Sequence, residues 1–97
     1  MKYRKKPVVI EAITFEEVVE YGKEYCRKRN IALVDGMPWS FEYEGHPLTH
    51  ENNECYLFDT LEGSERMTPK DMMITGVEGE IYPIKLNIFE KTYELVK

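Results

Sequence analysis

One amphipathic helix limits this chain more than any other feature. Phe15, Val18, Val19, Gly22 and Cys26 recur at i, i+3, i+4, i+7 and i+11, a single apolar stripe of helical period. Thr14 precedes the stripe as an N-cap, and Glu17 stands three residues on, where a capping box needs a carboxylate. Glu16 and Glu20 open the helix while Arg27 and Lys28 close it, as the macrodipole prefers. Glu24 and Lys28 are spaced for an i,i+4 ion pair, and Asn30 is a natural stop. After Asn30 no other stretch sustains a long helical period. The rest of the fold must therefore be built from short strands around this helix.

The chain reads that way. Val8 to Thr14, after Pro7, is a strand. Ala32-Leu33-Val34 leads into an Asp35-Gly36 turn. Trp39, Phe41 and Tyr43 alternate with Ser40, Glu42 and Glu44, the period of a half-buried strand. Gly45 to Asn53 is polar and rich in turn formers, and so reads as a loop. Cys55 to Leu61 is a strand with Tyr56 and Phe58 on one face and Leu57 on the other, turning through Leu61–Ser64 into Glu65–Thr68. Pro69-Lys70-Asp71 turns, Met72–Thr75 is a strand, Gly76–Gly79 turns and Ile81–Ile84 follows. Asn87 caps one helical turn over Ile88–Lys91, and Thr92–Val96 closes as a strand. Gly63, Gly76 and Gly79 are expected at positive φ, and Phe89 and Tyr93 to anchor the closing segment on the core. The expected fold is α+β: one amphipathic helix packed on a bent, mainly antiparallel sheet of five to seven short strands. Residues 1–97 form a single small domain.

Charge narrows the function classes. Residues 1–29 hold 8 Lys and Arg against 5 Glu, whereas residues 30–97 hold 5 against 13 Asp and Glu, which together give the net -5. A broad nucleic-acid surface needs a dominant basic face, leaving only local spots at Arg4-Lys5-Lys6 and Arg27-Lys28-Arg29. No apolar run reaches the roughly 20 residues of a membrane span. Glu11 cuts short the apolar stretch a signal peptide would need. The expectation is a cytoplasmic protein whose two cysteines, Cys26 and Cys55, are thiols. A small domain gains burial by self-association, so a homodimer is a further expectation.

Several short blocks stand in order: Lys5-Lys6-Pro7-Val8-Val9-Ile10-Glu11-Ala12, Thr60-Leu61-Glu62-Gly63, Thr68-Pro69-Lys70-Asp71, Ile74 to Pro83 (ITGVEGEIYP) and Asn87 to Glu94 (NIFEKTYE). With them the chain resembles small phage and prophage proteins of the PGDYG type. Lys70 stands where that family has Gly, Met72 where it has an aromatic, and Leu86-Asn87 where it has Pro-Asp. Residues 15–56 carry no part of the resemblance. It implies a protein encoded by a phage or prophage and acting inside a bacterial host, and it brings no catalytic residues and no cofactor.

Three readings of function follow. In the first, the chain is a non-catalytic binding protein that aids counter-defence or host takeover. It would hold a host protein, in one form as an acidic mimic of nucleic acid, or sequester a small signalling nucleotide. Its candidate residues are Trp39, Tyr43 and Tyr82 for stacking, with Arg66 and Lys85 for phosphate. In the second, His46, His50 and Cys55 form a metal or thiol site of a small hydrolase. In the third, the chain is a minor virion component.

Overall fold

The computed structural model describes residues 1–3 and 8–96. The basic run Arg4-Lys5-Lys6 and the strand-entering Pro7 lie outside the described residues. Among the described residues the order is β1 (Glu11–Thr14), α1 (Phe15–Lys28), β2 (Ser40–Tyr43), β3 (His46–Asn52), β4 (Cys55–Thr60), β5 (Gly63–Met67), β6 (Asp71–Thr75), β7 (Ile81–Lys85) and α2 (Leu86–Thr92). The fold is α+β, as expected. Its seven strands form two antiparallel sheets, one ordered β1-β6-β7 and the other β2-β3-β4-β5.

The helix forms for the reasons its sequence gives. Glu17 N–H donates to Thr14 Oγ1 (3.1 Å) and Thr14 N–H to Glu17 Oε1 (2.9 Å), closing the capping box. All five stripe residues are buried. Asn30 follows the last turn at φ 56°, a left-handed stop. Glu24 pairs with Arg27 at i,i+3 rather than with Lys28, since the shorter step brings the guanidinium onto both carboxylate oxygens. Gly22 leaves room for β2: a Cβ there would lie 2.6 Å from the Phe41 ring and 2.7 Å from Pro38.

α1 lies beside both β1 and β2, and β5 neighbours β7. The two sheets thus share one core, with the helix sealing the gap between edge strands β1 and β2. The core joins Phe15, Val18 and Val19 of α1 to Phe41, Tyr43, Leu48, Tyr56, Phe58 and Met67 of the larger sheet, and to Met73 and Ile81 of the smaller. Burying a side chain of that size contributes about 1.5–3 kcal/mol. Tyr56 is fully buried, and its hydroxyl donates to Pro38 O at 2.6 Å.

Several expectations need correction. Gly45–Asn53 is no loop, because His46–Asn52 is strand β3, between β2 and β4. Glu44 (φ 52°) and Gly45 (φ 80°) make the two-residue turn that matches strand twist. Leu48 and His50 then point inward while Pro47, Thr49 and Glu51 stay exposed. The β3–β4 ladder begins only at Thr49, so Pro47 costs no bond. Val8–Ile10 is unpaired, and β1 begins at Glu11. Ala32–Val34 gives only one bridge, Val34 to Met37. α2 starts at Leu86, with Asn87 inside it and no side-chain cap. Residues 93–96 form no strand. Phe89 and Tyr93 stack on each other (5.3 Å), yet no residue of α2 is buried. Gly63 and Gly79 take positive φ; Gly76 does not, and its missing Cβ instead admits the Glu80 carboxylate.

No helix among the described residues is long and apolar enough to cross a membrane.

Candidate functional site

Two of the five residues expected to bind a ligand converge. Arg66 and Lys85 line a groove of about 600 Å³ with Lys70, Cys55, Glu51, Glu54, Thr68 and Pro69. The groove supplies most of its own counter-charge. Arg66 Nε lies 3.2 Å from Glu51 Oε2, and Lys85 Nζ lies 3.4 Å from Asp71 Oδ1. Asp71 is buried where β6 begins, and it also accepts from Thr68 N–H (2.9 Å) and Thr68 Oγ1 (3.2 Å).

The aromatic partners of the expected site are elsewhere. Trp39 stacks on His50, with ring centroids 4.2 Å apart. Tyr43 is buried in the core. Tyr82 lines a separate cavity of about 350 Å³ between the β4–β5 turn and β7, with Glu62, Glu65 and Glu80. Its phenol is pushed up to about 12 by burial and by Tyr93. Stacking surface and phosphate-binding cations are therefore not assembled into one site, and the cationic groove has no aromatic in its lining.

The His46/His50/Cys55 constellation is likewise not assembled. As part of strand β3 the two histidines stand roughly 13 Å apart along the chain, whereas a loop could have folded them around an ion. His46 donates through Nε2 to Gly79 O (2.7 Å), and His50 through Nε2 to Asn53 Oδ1 (2.8 Å). Among the described residues no three His, Cys, Asp or Glu side chains are placed to share a metal. Cys26 and Cys55 are both free and buried. The Cys55 thiol is pushed up to about 11 by burial and by the Glu51 carboxylate. That disfavours the thiolate a nucleophile needs. In turn the Cys55 thiol and Arg66 hold the Glu51 carboxyl below its ordinary range.

A second groove runs along the crease between α1 and β2. Ile13, Tyr21 and Tyr43 form its floor, and Glu16, Glu17, Glu20, Glu24 and Glu44 its rim, around about 650 Å³. The helical period sets Glu16, Glu20 and Glu24 in one row, and the β2–β3 turn brings Glu44 to face them. Tyr21 meets Tyr43 edge-on, centroids 5.0 Å apart. Burial raises the Tyr43 phenol above its ordinary value. Part of the rim is answered from within. Glu17 serves the cap, Glu20 takes Lys23 (3.5 Å), and Glu24 takes Arg27. Among the described residues Glu16 and Glu44 have no cation within ion-pair distance. Farther along, a hollow of about 350 Å³ continues the crease past Tyr25 to Lys28, Arg29 and Glu42. Of the residues expected from sequence only Tyr43 belongs here. The i, i+4, i+8 glutamate row was the signal that could have revealed the rest.

Comparison with protein-family models, curated proteins and solved structures gives no match to this chain.

Proposed function

We propose that this chain is a non-catalytic binding protein, encoded by a phage or prophage, that grips a host protein in the bacterial cytoplasm and serves counter-defence or host takeover. The α1–β2 crease carries the reading: an apolar tyrosine floor under a glutamate rim that the described residues neutralise only in part. Such a groove suits a cationic segment with an apolar anchor, because rim charges steer encounter while the floor supplies burial. The phage setting rests on the block resemblance to PGDYG-type proteins. The nucleotide version has less support, since Arg66 and Lys85 answer internal carboxylates and no aromatic stands beside them.

The test is capture from bacterial lysate by the wild-type chain and by Glu16→Lys/Glu44→Lys. A host protein held by the first, released by salt and lost from the second supports the reading. Equal capture by both, or mass spectrometry that finds a bound nucleotide and no protein, overturns it.

A further inference from the structure

Resting on that reading of the crease as a partner's seat, the charges along α1 fix which way an occupant lies. In the crease Glu16 and Glu44 are open. In the hollow that continues it, Lys28 and Arg29 have no carboxylate within ion-pair distance among the described residues. Of the two carboxylates lining that hollow, Glu24 is taken by Arg27 and Glu42 alone is open, so its open charge is net positive. Tyr21 and Glu24 line both spaces, which makes them one continuous track. Twelve positions of helix separate Glu16 from Lys28, about 18 Å of rise.

The two cations are not spent on the end of their own helix. Cys26 O accepts from Arg29 N–H (3.2 Å) and Ile31 N–H (2.9 Å), and Arg27 O accepts from Asn30 N–H (3.3 Å). Arg29 Nη1 donates to Tyr25 O at 3.3 Å, and its guanidinium lies over the Tyr25 ring, 3.6 Å from the centroid. That holds the Arg29 charge at the wall of the hollow.

The track offers side chains and no backbone. α1 packs along β2, with Gly22 against Phe41 and Pro38, so the outer edge of β2 is covered. An extended segment laid there would leave its own N–H and C=O groups without protein partners, whereas a helix satisfies its own. Helices favour acids in the first turn and cations in the last, an order α1 itself follows. A helix of that order matches the track in one direction only.

We infer that the crease seats an amphipathic helix of the partner protein, antiparallel to α1. Asp or Glu of its first turn meets Lys28 and Arg29, its apolar stripe lies on Tyr21, Tyr43 and Ile13, and Lys or Arg of its last turn meets Glu16 and Glu44. The α1 of a second copy is a poor occupant. Its apolar stripe is buried in its own core, and matching its Glu16 to Lys28 would set its Glu20 opposite Glu24.

The test uses the full chain and a capped peptide of about fourteen residues, with two Glu in its first turn, Leu and Val at helical spacing and three Lys toward its end. A second peptide carries Gln for both Glu, and the first is also made with a nitroxide label at either end. Against the wild-type chain the Gln peptide should bind about fivefold more weakly, and against Lys28→Gln/Arg29→Gln the two should bind alike. Lys28→Glu alone serves if the double variant frays, and should prefer the Gln peptide. Binding should raise the helical circular dichroism of the peptide. A label at its N-terminal end should broaden the amide signals of Lys28 and Arg29, and one at its C-terminal end those of Glu16 and Glu44. An equal loss from Glu to Gln in wild type and variants, labels that broaden the opposite ends, or binding without helix overturns the inference; release of the peptide by Glu16→Lys/Glu44→Lys would then still uphold the crease as a seat. If no peptide binds, the inference fails, and the crease reading falls with it only where the charge-reversed chain still captures the host protein.

Discussion

The two grooves of this molecule leave different charges without an ion-pair partner among the described residues: Lys70 and Glu54, of opposite sign, in the cationic groove, and the carboxylates Glu16 and Glu44 in the crease. In the cationic groove Arg66 and Lys85 each meet a carboxylate of the same chain, and one of those, Asp71, is buried and holds the β5–β6 turn by two bonds from Thr68. In the crease, Glu16 and Glu44 face an apolar floor with no partner among the described residues. A groove whose open charges are of opposite sign has little net field to offer a partner. One that leaves charge of a single sign open is suited to something from outside. The comparison teaches that counting charged residues around a hollow says less than asking which of them are already spoken for.

The sharpest way to break the comparison is to remove the seat of the crease. Gly22→Leu drives a side chain into Phe41 and Pro38, and should cost about 3 kcal/mol in denaturant unfolding. A smaller loss would mean that α1 does not depend on its close approach to β2. Next, Asp71→Ala leaves Lys85 and Thr68 unanswered and should cost about 2–3 kcal/mol by the same measurement. A near-zero cost would show that the cationic groove is not scaffold. Third, Cys55 sets a pH dependence. Its thiol is pushed up to about 11 from an ordinary 9.0, so the folded state keeps its proton where the unfolded state loses it. Its contribution to stability is whole below the ordinary value and is lost as pH rises toward the folded one. In a Cys26→Ala background, alkylation at a pH near 9 should be far slower for the folded than for the urea-unfolded chain; equal rates would overturn the burial argument. Smallest is Glu16→Gln/Glu44→Gln, expected to change stability by less than about 0.5 kcal/mol. A larger loss would make the open rim structural after all.

What could be read from the sequence was what is decided locally. The capping box, the buried stripe, the Asn30 stop and the β4–β5 hairpin each depend on residues within a turn or two of one another. β3 could not be read. His46-Pro47 and Asn52-Asn53 look like loop chemistry, and only pairing with β2 and β4, with Leu48 and His50 turned inward, makes the segment a strand. The same error created the supposed metal site, since two histidines in a loop can meet and two on a strand cannot. The reverse happened at Thr92–Val96, where Thr92 ends helix α2 and residues 93–96 form no strand. Tyr43 is legible in the sequence because its aromatic alternation with Trp39 and Phe41 is visible there. The rim around it was not, because its carboxylates come from a helix and from a turn that only the folded chain brings together.

The seal that α1 makes between the two sheets also sets a timetable. β2, β3, β4 and β5 follow one another as hairpins, so each finds its partner as soon as it is made. β1 pairs with β6 in a register that joins Glu11 to Thr75, sixty-four positions apart. During synthesis the helix emerges before β2 to β6, and it must wait for β6 before it has both of its edges to close. Until then its stripe has only the growing meander to rest on, and that interval is when the chain is most exposed to off-pathway encounters.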